Sequence, residues 1–143
     1  MTLNDFIAEL RNWKLTRYKT INFVIGISAL LIYEFLGRPI YRPYIYINKI
    51  NDFHIADTLG NTFGTFTTIF FLIALLSNDA TKGNYLIKLG IISVVIFELA
   101  QPLLGKPIDF RDIIATIVTG FLSYLIYHIL FKNKQLNEKT TDC

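Results

Sequence analysis

Apolar positions gather into four blocks, approximately residues 21–37, 58–77, 85–105 and 113–131, separated by short polar segments. Each block is close to the ~20 residues needed to cross the hydrocarbon core of a bilayer, so the pattern predicts four transmembrane helices. The first block is the shortest and carries Glu34 near its end. Ahead of it Leu3, Phe6, Ile7, Leu10 and Trp13 recur at helical spacing, with Asp5, Glu9, Arg11, Asn12 and Lys14 between them and Thr2 placed to cap. That spacing predicts an amphipathic helix over residues 1–19 lying on the membrane surface. Beyond residue 131, "KNKQLNEKTTDC" has no apolar periodicity and reads as a disordered tail over 132–143.

Composition agrees with the pattern. Of 143 residues 52% are hydrophobic and 17% charged, below the roughly 25% charge of soluble domains. Mean hydropathy is +0.43. The expected fold class is all-α: a polytopic membrane protein whose residues 20–131 form an antiparallel four-helix bundle. The charged stretch before the first block and the lack of a small-x-small cleavage site favour a retained anchor over a signal peptide. A single cysteine, Cys143, excludes an intramolecular disulfide and supplies no prenylation box.

Charge then orients the chain. With four crossings, one side collects Arg11, Lys14, Arg17, Lys19, Lys82, Lys88, Lys132, Lys134 and Lys139, and the other Arg38, Arg42, Lys49, Lys106 and Arg111. The excess predicts that both termini are cytoplasmic. A net charge of +3 points to anionic lipid as a partner and not to nucleic acid. In this orientation Glu34, Asp57, Asn61, Glu98, Gln101, Arg111, Asp112 and Thr116 all fall toward the outward side. The inward halves hold runs such as "TIFFLIALL" and "LGIISVVI", with Lys88 and an interfacial His128 near their ends.

The two halves of the chain also echo each other. "EFLGRPI" from Glu34 matches "PLLGKPI" from Pro102, and "FHIADTLGNTFG" from Phe53 matches "DFRDIIATIVTG" from Asp109. Residues of about 21–77 and 85–131 thus read as two helix-hairpin repeats. Both pairs start from the cytoplasm, so a pseudo-twofold axis along the membrane normal would bring the acidic ends together around an outward-opening polar cavity.

Each candidate has a bland reading beside its functional one. Asp57, Asn61 and Gly64 share one helix face at i, i+4, i+7, and Glu98 and Gln101 share another at i, i+3. Asp57 and Asp112 in first turns satisfy free N–H groups and the helix dipole, and Gly60 with Gly64 forms a GxxxG suited to close packing. Glu98, six residues before Leu104 and so about 9 Å down an unbroken helix, needs a partner or a proton, and intramembrane acids are functional candidates by default. His54 with Asp52, Asp57, Asp109 and Glu98 can be drawn as a metal set, but no HExxH, paired His or CxxC fixes a geometry, so neither metal nor cofactor is expected. The crossing "GRPIYRPYIYINK" interleaves Arg38, Arg42 and Lys49 with Tyr41, Tyr44 and Tyr46, either as an interfacial belt or as a clamp in which Arg38 and Arg42 fork a phosphate.

Glu-x-x-Gln in "ELAQ", a short basic crossing, and Phe-x-x-x-Asp-x-x-x-Asn-x-x-Gly in "FHIADTLGNTFG" together resemble the signature of the VanZ-like membrane protein family over residues 30–131. Here the complete motifs occur in reverse order, as in a divergent member. The resemblance implies a small multi-helix protein of the bacterial cytoplasmic membrane, in a family named for glycopeptide (teicoplanin) resistance. The functional expectation is binding of a polar lipid or lipid-linked envelope precursor headgroup by Glu98, Gln101, Asp57, Asn61, Arg111, Asp112, Glu34, His54 and Arg38. One alternative is a membrane-embedded hydrolase or transferase acting on a lipid-linked phosphate, with Glu98 or Asp112 as general base. Another is an accessory subunit of a membrane complex; a homo-oligomer is compatible with each.

Overall fold

A computed structural model of the chain describes residue 7, residues 14–78 and residues 80–141, the last ten by their backbone alone. The amphipathic helix expected at the N-terminus falls almost wholly outside the described residues, of which Ile7 is helical. Among the described residues there is no strand. The chain forms α1 (Arg17–Ile32), a π-helical stretch (Tyr33–Tyr41), α2 (Arg42–Ile47), α3 (Ile55–Leu76), α4 (Gly83–Leu99), a 3-10 turn (Gln101–Leu104) and α5 (Phe110–Thr141).

The first helix is longer than the hydropathy block. Thr16 caps α1 by accepting the Lys19 N–H, and the helical path then continues for 31 residues to Ile47, about 46 Å at 1.5 Å per residue. Two prolines lie in that path and do not end it. Pro39 offers no N–H to the i→i−4 ladder, and the ladder here widens, with the Arg42 N–H reaching the Gly37 carbonyl five residues back. Pro43 falls in the first turn of α2, where its missing N–H costs little. The supposed crossing "GRPIYRPYIYI" is therefore helical, and it carries Arg42 and Tyr46 beyond the ~30 Å of a hydrocarbon core.

The third block ends earlier than expected. α4 stops at Leu99, because Pro102 cannot continue the ladder, and Gly105 turns the chain at φ +74°. Glu98 thus sits in the last turn of α4, not two turns inside a helix running to residue 105. At the other end of the chain α5 continues as helix through the stretch read as a disordered tail. Lys, Gln, Leu and Glu propagate a helix well, and no Gly or Pro interrupts the segment.

α3 is the hub. Gly26 abuts Phe70 and Phe71 while Gly37 abuts Leu59, so α1 and α3 are antiparallel. Gly90 abuts Ile69 and Leu72, and Gly120 abuts Ile91, which sets α4 antiparallel to both α3 and α5. The backbones of α3, α4 and α5 pack mutually, whereas that of α1 packs on α3 and not on α5. A twofold arrangement would pair α1 with α5 as it pairs α4 with α3. The backbone does not. The Thr65–Thr116 contact spans 51 residues, whereas the Asp57 and Asp112 correspondence requires 55, a slip of one helical turn.

The interior changes character along its length. At one end, hereafter the apolar end, Ile69, Phe70, Ile73, Leu76, Leu86, Ile87, Tyr127 and Phe131 form a continuous core. Tyr127 fastens it by donating to the Ala80 carbonyl at 3.1 Å, with the Tyr18 hydroxyl 2.7 Å away. At the other, polar end the buried polar groups are Thr65, Glu98, Thr116 and Thr119, while Lys19, Asn22, Ser77 and Ser123 are buried toward the apolar end. Among the described residues three helices are long and apolar enough to cross a membrane: Arg17–Ile47, Ile55–Leu76 and Phe110–Phe131. Only 22%, 33% and 28% of their most apolar windows are buried, so most of the apolar surface faces outward, as in a lipid solvent.

Candidate functional site

Two groups of polar side chains lie at the polar end. The peripheral one joins α2, α3 and α5. The Tyr46 hydroxyl donates to Asp57 Oδ1 at 2.5 Å, and His54 Nδ1 stands 2.8 Å from Asp57 Oδ2. Arg111 Nη1 approaches the same His54 Nδ1 at 3.2 Å. These two contacts compete. A protonated Nδ1 donates to Asp57 and offers nothing to Arg111; a bare Nδ1 accepts from Arg111 and leaves Asp57 with Tyr46 alone.

Local structure explains how His54 arrives there. Asp52 holds the start of α3 by accepting the Ala56 N–H at 2.7 Å and the Tyr41 hydroxyl at 3.3 Å. The two residues after it, Phe53 and His54, adopt left-handed backbone at φ 57° and 67°. Each such residue other than glycine costs about 1–2 kcal/mol. The turn directs His54 toward α5, whose N-terminus Asp109 caps through the Arg111 N–H at 2.9 Å.

The deeper group centres on Glu98, which is 2% exposed and accepts the Gln101 amide at 2.5 Å. Asp112, half-buried on α5, lies within electrostatic range of Glu98 and Asp57, with Arg42 acting in the opposite sense. Thr65 Oγ1 meets Thr116 Oγ1 at 3.4 Å in the interior. One turn toward the polar end from each, Asn61 and Asp112 occupy the same level of the parallel helices α3 and α5. The Asn61 amide nitrogen is buried without a hydrogen-bond partner, and so is Arg42 Nε.

Most of the expected site is thereby brought to one end, and part of it is not. Glu34 and Arg38 pair with each other across 3.4 Å on the exposed surface and join neither group, since Tyr33 and Gly37 are the residues of this stretch that lie against α3. Their neighbour Arg42, on the other hand, turns inward. It reaches the Tyr46 hydroxyl at 3.5 Å with its guanidinium 6.0 Å above that ring, and Tyr33 also contacts it. Tyr33 carried no sequence signal, and Tyr46, read as part of an interfacial belt or clamp, was not expected to meet Asp57, since their spacing of 11 depends on a turn that no motif announces. The GxxxG splits as well. Gly60 lies against the Tyr33 hydroxyl, whereas a side chain at Gly64 would meet nothing within 4 Å. Among the described residues no three His, Cys, Asp or Glu side chains converge to hold a metal.

Beside the peripheral group runs a groove of about 560 Å³ between α3 and α5, with Phe53, His54 and Arg111 at its mouth and Thr62, Val118 and Leu122 farther along. A smaller slot of about 310 Å³ separates α3 from α4 and is bounded by Asn61, Gly64, Thr68 and Ser93. The described residues together define a helical protein, without strands among them, in which three helices are fit to span a membrane and a polar cluster lies at one end of the bundle. No family model, curated protein or solved structure matches the chain.

Proposed function

We propose that the chain is a four-crossing, VanZ-like protein of the bacterial cytoplasmic membrane that binds a polar lipid or lipid-linked envelope precursor by its headgroup. α4, at 17 residues or about 25 Å, supplies the fourth crossing with the 3-10 turn extending it. Both termini are cytoplasmic, and the polar end opens outward. The observation that carries the reading is the Asp57, His54 and Arg111 network, drawn from two parallel helices at the end where Glu98 and Asp112 lie. Arg111 and His54 meet a phosphate, and Glu98, Gln101, Asp57, Asn61 and Asp112 meet the hydroxyl or amine groups around it. Arg42 replaces Arg38 as the second cation, because Arg38 is spent on Glu34. A role in glycopeptide resistance follows from the family resemblance alone.

Mass spectrometry of the protein released from native nanodiscs tests this reading. A lipid enriched with wild type and lost with Glu98→Gln is the expected result. Equal lipid profiles for the two proteins overturn it. A hydrolase or transferase working at the polar end is the second reading, favoured by half-buried Asp112 lying within electrostatic range of Glu98, one to take a proton and one to hold it. Consumption of a lipid-linked phosphate by wild type and not by Asp112→Asn distinguishes it from binding alone.

A further inference from the structure

The α3–α5 groove has a form that a headgroup site alone does not require. Its mouth carries the cationic Arg111 beside His54, and below them Ile55, Ile114, Val118 and Leu122 are open to the surroundings. The Thr58 and Thr62 hydroxyls on the same wall are turned to backbone carbonyls one turn back. From Arg111 to Leu122 is eleven residues, about 16 Å along α5. Half of a ~30 Å hydrocarbon core is about 15 Å, so the groove runs the depth of one leaflet. Its volume, about 560 Å³, falls within the range of pockets that take a small ligand.

Arg111 is the cation at the mouth, set among the carboxylates of Asp57, Asp109 and Asp112. Asp57 has both carboxylate oxygens engaged, by Tyr46 and by His54. In that arrangement His54 Nδ1–H is turned to Asp57 and offers Arg111 nothing, so all five guanidinium N–H donors remain for an anion. The N-termini of two parallel helices lie at this same end and add partial positive charge. Facing the bilayer along its side, the groove is open to a chain entering laterally from the leaflet.

We propose that this groove holds one acyl chain of an anionic glycerophospholipid of the outward leaflet, with the lipid phosphate seated on Arg111 and His54. The proposal rests on the reading of the polar end as a headgroup site and deepens it: the ligand is recognised by its chain as well as its head, and it arrives through the membrane. The two strained residues Phe53 and His54 fit this arrangement, since their left-handed backbone puts an exposed ring and an imidazole at the mouth.

Val118 and Ile117 give a matched test, because the two neighbours are 53% and 54% exposed and only Val118 lines the groove. Full-length protein in detergent is titrated with dioleoyl phosphatidylglycerol and, separately, with glycerol phosphate, and complexes are counted by native mass spectrometry. The expected result is one phosphatidylglycerol bound by wild type and by Ile117→Trp, with Val118→Trp weakened at least about tenfold and Arg111→Gln weakened roughly ten- to hundredfold. Glycerol phosphate, lacking the chain, binds far more weakly and is indifferent to Val118→Trp. Equal phosphatidylglycerol affinity in wild type and Val118→Trp overturns the groove, as does a second copy of the chain cross-linked through position 118. If glycerol phosphate binds and is lost only with Arg111→Gln while Val118→Trp changes nothing, the headgroup site stands and the groove falls. If neither probe binds, both readings fall.

Discussion

Substitution of Glu98 separates the shape of the buried site from its charge. Glu98 is 2% exposed, and its carboxylate accepts the Gln101 amide. Glu98→Gln keeps the volume and an acceptor, changing a charge-assisted bond of roughly 1.5–3 kcal/mol into a neutral one of roughly 0.5–1.5 kcal/mol. The loss, about 1 kcal/mol, is partly offset because the substitution also removes the repulsion between Glu98 and Asp112. Glu98→Ala instead leaves the Gln101 amide without its partner, at a cost of about 1–3 kcal/mol, and opens a void that adds on the order of 1 kcal/mol. The expected losses are therefore about 1 kcal/mol or less for Gln and about 2–4 kcal/mol for Ala. For a chain of this size each kcal/mol corresponds to roughly 3–5 °C in Tm. Thermal unfolding in lipid-free detergent, followed by circular dichroism, reads the difference directly. A Gln variant that melts as low as the Ala variant would refute the reasoning, because the negative charge itself would then be holding the end of α4.

Other consequences are simpler. Gly90→Ala places a methyl against the buried Ile69 side chain and close to its Cα, and overpacking of this kind lowers stability by about 1–3 kcal/mol, measured by the same melts. Tyr127→Phe removes the donor to the Ala80 carbonyl and the partner of Tyr18, and unfolding measurements should show a loss of about 1–2 kcal/mol. Thr116→Val, which leaves the Thr65 hydroxyl to find a backbone acceptor, should cost about 0.5–1.5 kcal/mol. Glu34→Gln, by contrast, should leave both stability within about 0.5 kcal/mol and lipid retention unchanged, because its pair with Arg38 is exposed; a loss of bound lipid would return Glu34 to the site.

What the sequence discloses depends on the range of the interaction. Hydropathy is a local sum, so the blocks around residues 58–77 and 113–131 coincide with α3 and the membrane-length part of α5. The division between an apolar end and a polar end was legible for the same reason: Thr65, Glu98 and Thr116 are polar residues inside apolar runs, and burial is the only way to keep them from hydrocarbon. Boundaries at proline were not legible. Pro39 is absorbed by a widened helix while Pro102 follows the end of one, and no local pattern records the difference.

The site divides along the same line. Asp57 with His54, and Glu98 with Gln101, are three residues apart on the chain, and local backbone brings each pair together, by the left-handed turn before α3 and by the 3-10 turn after α4. Arg111 with His54, separated by 57 residues, depends on the parallel setting of α3 and α5. The choice of Arg42 over Arg38 depends on which side of the π-helical path lies against α3. The repeat suggested a symmetry in which α1 and α4 are equivalent, yet α1 meets α5 only through side chains such as Tyr18 on Tyr127 and Phe131, whereas α4 and α3 also pack backbone to backbone. Lys19, counted by its charge among the flanking cations, is 1% exposed, and Asn22 one turn on is fully buried. Composition fixes how many charges a side carries, and tertiary packing decides which of them reach water.

The central claim is that a phosphate sits between α3 and α5 at the polar end. Phosphorus-to-nitrogen dipolar recoupling by solid-state NMR tests it most directly, using protein with 15N-labelled arginine in phosphatidylglycerol-containing bilayers and Arg111→Gln as the subtraction. The account predicts a dephasing component that places an arginine guanidinium within about 4–5 Å of a phosphate, the range of a charge-assisted hydrogen bond seen between heavy-atom centres, and that disappears in the variant. A wild-type signal identical to that of Arg111→Gln contradicts it.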